Sequence, residues 1–243
     1  MGENHPTGTT EEIDHAALRR LGDEIWDGHH PHRLLGIFPL GHRMTVIRQP
    51  DGGLILHSPI PLTNSLAAEL ERLGPVRHVL APNLYHNLFL GPWAKENPDA
   101  RFWVVPGFSD KCPRLRADAI LDTDVDIPGL RCERIQGMPK VNECVILHEA
   151  SRSVIVADLV FNFPHTESLA LRWLLKMVGA HGGVAVSKLY RSRIVDQDAL
   201  RSSLERVLSW DFDRVIVGHG DNITTGGKQA LRTAYAWLLD RAP

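Results

Sequence analysis

Over most of the chain the apolar positions fall in short runs punctuated by turn-forming residues, the pattern of strands rather than of long helices. Met44–Arg48 and Leu54–His57 flank Pro50-Asp51-Gly52-Gly53, which predicts a hairpin. Val76–Ala81, Phe102–Pro106 and the weaker Ala119–Leu121 read as further strands. In the second half Cys144–His148 and Ser153–Ala157 pair across Glu149-Ala150-Ser151-Arg152, and Arg214–Val217 has the composition of a buried strand. Helical spacing appears between these runs. Thr63 and Asn64 open a helix that Gly74-Pro75 ends, and others are predicted over Glu167–Val178, Gln197–Trp210 and Gly227–Arg241. At the start, residues 1–9 read as a loose tail. Thr10-Glu11-Glu12 then opens an amphipathic helix to about Trp26, with acids in its first turn, followed by a turn-rich linker. Hairpins alternate with strand–helix units twice over, which predicts an α+β sandwich (αββα): two mixed sheets face to face with helices outside. Residues 1–38 would precede one domain spanning 39–243.

Composition narrows the function. The 243 residues carry 27 basic and 29 acidic side chains, a formal charge of −2, and a sequence pI of about 6.7. This argues against a protein whose main partner is nucleic acid, since such domains run to pI above ~9. The basic run Lys188–Arg193 reads as a solvated face. Cys112, Cys132 and Cys144 include no C-x-x-C pair and read as ordinary thiols in a reducing compartment. No apolar leader opens the chain, and the greasiest stretch, Leu169–Ala180, carries Arg172 and Lys176 and falls short of the ~20 residues of a membrane span. A cytoplasmic protein is expected. That stretch reads as core, as the lining of a substrate mouth or as a homodimer contact. The thirteen histidines make placement the question, because imidazole serves both as metal ligand and as acid–base group. His29, His30 and His32, flanked by Gly and Pro, read as solvated loop residues.

Three places put a metal-competent residue just past the end of an apolar strand: His86 in Pro82–Asn87, Asp158 after Val154–Ala157, and His219 after Val215–Val217. Strand ends on a rigid sheet gather functional groups. Imidazole plus carboxylate suits zinc or iron. Each has a plainer reading: His86 as a loop cap, Asp158 as a turn cap. His219 is hardest to explain as packing, because Gly218 and Gly220 imply that other backbone comes close to it. Glu143 on its loop reads as a ligand, a base or a turn cap. His57 and His148, both at strand ends, read as a supporting or proton-shuttling group or as hydrogen-bonded structural histidines. Nucleophile-elbow and phosphate-loop motifs are not found around Ser58, Ser187 or the paired glycines.

SVIVADLVFN at Ser153–Asn162, VIVGHGDNITTGG at Val215–Gly227 and the opening MTVIRQPDGGLILHSP resemble the metallo-β-lactamase superfamily over about residues 40–240. They are most similar to a little-characterised family in which Pro-Asn-x-x-His replaces the histidine-rich motif. In the superfamily that motif is T-H-x-H-x-D-H. Aligned on strand ends, Asn83 and Tyr85 stand at its first two histidines, and His86 falls on a variable position. The resemblance carries over Asp158 and His219 residue by residue and implies a reduced site: one zinc or iron ion, or none, on His86, Asp158 and His219. It implies a hydrolase acting on an ester, lactone, thioester or phosphoester, with Glu143 or His148 moving the proton. Oxidoreduction at iron has the same ligand types. The alternative is a metal-free, non-catalytic member of the fold serving as a binding or structural module. Convergence of the three side chains separates the two.

Overall fold

A computed structural model describes residues 18–240. Strands β1 (Arg19–Gly22), β2 (Ile25–His30), β3 (His42–Arg48), β4 (Leu54–His57), β5 (Val76–Ala81), β6 (Arg101–Val104) and β7 (Ala119–Ile120) form a seven-stranded sheet in chain order. Pairing is antiparallel from β1 to β4 and parallel from β4 to β7. The change of sense follows from the connections. Helices α1 (Asn64–Leu73), α2 (Leu90–Glu96) and α3 (Phe108–Lys111) return the chain between parallel strands, whereas tight turns and a loop link the antiparallel ones.

A second sheet contains β8 (Leu130–Arg134), β9 (Cys144–His148) and β10 (Ser153–Ile155), all antiparallel. Strands β11 (Phe161–Phe163) and β12 (Gly183–Ala185) make a separate ribbon. Helices α4 (Leu169–Met177), α5 (Lys188–Arg191) and α6 (Gln197–Ser209) lead to β13 (Arg214–Ile216), which joins β10 in parallel. Helices α7 (Gly227–Ala234) and α8 (Ala236–Leu239) follow. Alternation within the second sheet explains why it is buried on both faces. Cys144, Ile146, Ile155 and Ile216 join the core shared with the first sheet. Their neighbours Val145, Leu147, Val154, Val156, Val215 and Val217 pack with Leu200, Leu204, Val207 and Leu231 of α6 and α7. The α+β sandwich predicted from the run pattern is therefore the observed architecture. Among the described residues no helix is long and apolar enough to cross a membrane.

The N-terminal helix is a correction. Its first part, residues 10–17, lies outside the described residues, and from Arg19 on the chain is the β1–β2 hairpin. It turns at Asp23-Glu24 with Glu24 in left-handed backbone (φ 58°). Arg19 sits directly across from Asp27 and bonds it twice, at 3.0 and 2.8 Å. Burial of Ile25, Asp27 and Gly28 in the sheet overrides a helical spacing that was real in sequence. The histidines expected on a solvated loop are corrected in part: His29 is exposed and His32 lies on the loop, but His29 and His30 belong to a strand and His30 and His32 are half-buried. His29 and His30 end β2, and the rings of His30 and His32 lie against Phe89 at 5.4 and 6.4 Å. The last predicted helix breaks at Tyr235, whose hydroxyl donates to Leu159 O at 2.9 Å.

Candidate metal centre

The three strand-end residues converge. One ligand-capable atom from each of His86, Asp158 and His219 lies within 4.8 Å of the others. His86 Nε2 stands 3.5 Å from Asp158 Oδ2 and His219 Nε2 stands 3.5 Å from Asp158 Oδ1. A charge-assisted hydrogen bond would draw such pairs to ~2.7–2.9 Å. Two donors each ~2.1 Å from a tetrahedral ion stand roughly 3.4 Å apart, so the spacing fits ligands about a metal better than partners in a hydrogen bond.

The outer ring nitrogens hold both imidazoles in place. His219 Nδ1 lies 2.7 Å from the Gly41 carbonyl oxygen, which only accepts, so the neutral ring carries its proton on Nδ1 and leaves an Nε2 lone pair toward Asp158. His86 Nδ1 is 2.6 Å from Ser58 Oγ, and that hydroxyl is 2.9 Å from His42 Nε2. One relay, His86 donating to Ser58 and Ser58 to His42, leaves His86 Nε2 unprotonated toward the site; His42 Nε2 also stands 3.3 Å from the Ser58 carbonyl oxygen, a contact that serves the opposite relay, in which His42 donates. Burial, reinforced by His86 and His219, holds the His42 pKa well below the usual value, so its ring is neutral. Phe161 stacks on His219 at 5.4 Å and closes that side.

Local sequence explains how each residue is aimed. Past β5, Asn83 Oδ1 accepts from the backbone N–H groups of Tyr85 and His86 at 2.8 and 2.9 Å, a turn that swings His86 to the site. Asn83 Nδ2 donates to Asp158 Oδ2 at 2.8 Å and reaches Glu143 Oε2 at 3.3 Å. Glu143 accepts the N–H groups of Ala157, Asp158 and Leu159, which fixes the bend after β10 from which Asp158 projects. Burial and the neighbouring Asp158 carboxylate push Glu143 up to about 7. Burial would raise Asp158 as well, but the charge and N–H groups of His86 and His219 in their protonated form hold its carboxyl well below the usual range. His219 fits between Gly218 and Gly220 because the Ala157 and Asn162 backbones occupy the space where side chains would project.

The sequence-predicted residues thus fall into groups. His86, Asp158 and His219 are brought together, and Glu143 stands behind Asp158 with its oxygens occupied by backbone. His148 is at the other end of β9, bonded to Ser151 Oγ at 2.8 Å, so its expected part in proton transfer has no geometric basis. His57 is buried beside the site with Nε2 lacking a hydrogen-bond partner among the described residues, and burial lowers its pKa to about 3. Asn83, Ser58 and His42 are site residues that motif reading missed. Asn83 could have been found, since it fills a ligand position of the resembled motif. Ser58 and His42 carry no sequence signal beyond sitting at strand ends.

A cavity of about 390 Å³ opens onto the three residues, walled largely by Leu40, Phe161, Leu174, Leu175 and Val178. The greasy stretch, read as core, substrate mouth or homodimer contact, lines the mouth of the site through one face of α4, while Leu171 and Leu175 are buried.

A family model described as a domain of unknown function, DUF4336, matches residues 23–109. No curated protein matches the chain. Solved structures match over almost its whole length at low identity. A metallo-β-lactamase from Hirschia baltica superposes with a TM-score of 0.64 at 11% identity, covering 91% of this chain and 96% of that one. A metallo-β-lactamase from Pontibacter korlensis gives 0.62 at 12%, covering 93% and 99%. FIM-1 from Pseudomonas aeruginosa, in its mono-zinc form, gives 0.63 at 11%, covering 92% and 94%. The chain has the metallo-β-lactamase fold.

Proposed function

We propose that the chain is a metal-dependent hydrolase holding one zinc or iron ion on His86 Nε2, Asp158 and His219 Nε2. The observation that carries this reading is the convergence of two imidazole nitrogens and a carboxylate within 4.8 Å, each nitrogen 3.5 Å from a different carboxylate oxygen, with both outer ring nitrogens already engaged. Three protein donors facing a cavity are the arrangement of a catalytic rather than a structural ion. The mono-zinc form of a structural neighbour supports a single-ion site on this fold. A bound ion supplies Lewis acidity that polarises an acyl carbonyl or phosphoryl group and acidifies water to near neutral pH.

The chain's own residues do the rest. The Gly41 carbonyl fixes the tautomer of a neutral His219, and Ser58 holds the His86 ring in place. Asn83 and Glu143 hold the Asp158 carboxylate in place, so Glu143 is a positioning residue. Phe161 and the leucines of α4 shield the site from bulk water. Esters, lactones and thioesters are the leading substrates, with phosphoesters the other class.

Metal content tests this. Untagged full-length protein measured by plasma mass spectrometry should carry about one equivalent of zinc or iron. The Asp158→Ala/His219→Ala variant should carry none. Absence of metal from the wild type, even after adding zinc, would overturn the reading in favour of a metal-free binding module.

A further inference from the structure

The mouth of the cavity is ringed by apolar side chains left in contact with water. Leu34, Tyr85, Leu88 and Leu189 all line it and are exposed, though they come from separate stretches of chain. Helix α4 carries this rim outward. Leu169, Trp173 and Met177 recur at every fourth residue and form one outward stripe, 74%, 58% and 50% exposed. Met177 stands one turn beyond Leu174, which lines the cavity with Val178, so stripe and mouth are continuous. Soluble monomers seldom expose a contiguous apolar surface of this kind.

The loop before β3 adds a second, independent feature. Its tip is a tight turn closed by the Leu34–Phe38 bridge, with Leu35 in left-handed backbone at φ 53° and 79% exposed. Glycine or asparagine would hold that turn at less cost and in better contact with water. Ile37 is exposed beside it, and Leu40 at the base of the loop packs with Leu171 and Leu175 of α4.

Charge identifies what this surface meets. Residues 31–40, 84–90 and 168–193, which carry the apolar rim, contain Arg33, Arg172, Lys176, Lys188, Arg191 and Arg193 but no aspartate or glutamate. None of these cations makes an ion pair among the described residues. Two have local contacts, Arg33 with the Ile37 carbonyl and Arg191 over the Trp237 ring, and neither contact cancels the charge. A second copy related by two-fold symmetry would set like charge against like. An anionic bilayer supplies both complements, acyl chains for the leucines and Trp173 and phosphate headgroups for the cations.

We propose that this face docks on the surface of an anionic phospholipid bilayer, with Leu35, Ile37 and the α4 stripe entering the acyl boundary and the cavity mouth set against the lipid.

Vesicle co-sedimentation tests this with the full-length protein. Vesicles with about a third phosphatidylglycerol in phosphatidylcholine should take up the protein about tenfold or more better than phosphatidylcholine alone, and high salt should abolish the difference. Trp173→Ser/Met177→Ser and Leu35→Ser/Ile37→Ser should each weaken uptake about tenfold. Lys176→Glu/Lys188→Glu should remove the preference for phosphatidylglycerol. Arg72→Glu/Arg77→Glu, near the opposite end of β5 from the site, should keep it. Circular dichroism melts check that each variant folds. Brominated lipid should quench the tryptophan emission, and Trp173→Phe should lose most of that quenching. No uptake by anionic vesicles, or uptake unchanged in both serine variants, would overturn the proposal. A concentration-dependent dimer that Trp173→Ser/Met177→Ser dissolves would also overturn it, by assigning the face to a second copy. These variants leave His86, Asp158 and His219 in place, so neither result bears on the hydrolase.

Discussion

At the scale of single residues the site is a set of side chains whose second contact fixes what the first can do. Glu143 shows this most clearly. Its two oxygens accept three backbone N–H groups and an Asn83 N–H, so a glutamine amide there must turn an NH2 toward at least one donor. Glu143→Gln is expected to cost ~1–3 kcal/mol of stability and ~10–100-fold in metal affinity, checked by thermal unfolding and a competitive chelator titration. His57 gives the pH dependence. Its folded pKa, about 3, lies below the ordinary 6.5, so between those values the unfolded chain binds the extra proton. Its contribution is thus absent above about pH 6.5, and the protein loses stability as pH falls through that window, by up to roughly 4–5 kcal/mol from this group. His57→Leu should move the acid-unfolding midpoint, followed by circular dichroism, to lower pH. An unchanged midpoint would show that His57 is already charged or solvated when folded. The residues of the site were partly legible in sequence, because strand-end His and Asp carry a signal. Ser58 and His42 were not, because their roles depend on neighbours that only the tertiary fold supplies.

At the scale of elements, strands with a clear run and a turn after them were legible to within a residue or two, as with β4, β5 and β9. The same rule failed where pairing with the sheet, rather than local pattern, decides the state. β1 and the first residues of β2 read as helix and the rest of β2 as linker, and the short β8, β11 and β12 left no run long enough to see. The turn after β13 was legible because glycine there has a steric reason. Gly220 has φ 86° and stands against the Asn162 backbone. Gly220→Ala should therefore destabilise by ~2 kcal/mol or more, and also displace His219. Denaturant melts read the first effect and zinc titration the second. A variant as stable as wild type and binding zinc normally would mean that the β11 segment yields.

At the scale of the whole molecule, the two sheets meet at the site. The Arg43 N–H of β3 donates to Gly218 O at 3.0 Å, and the Arg43 guanidinium reaches Val217 O at 2.7 Å. His86 comes from the first sheet, Asp158 and His219 from the second. That arrangement has a kinetic meaning. No stretch of nascent or half-folded chain brings positions 86, 158 and 219 together, so the pocket for the ion exists only after the last long-range contacts close. An ion held there would act on the way out of the native state and not on the way in. In stopped-flow experiments zinc should leave the refolding rate unchanged and slow unfolding in proportion to its occupancy, while a chelator should restore the faster rate. The protein's lifetime against spontaneous opening would then be set by the supply of metal around it.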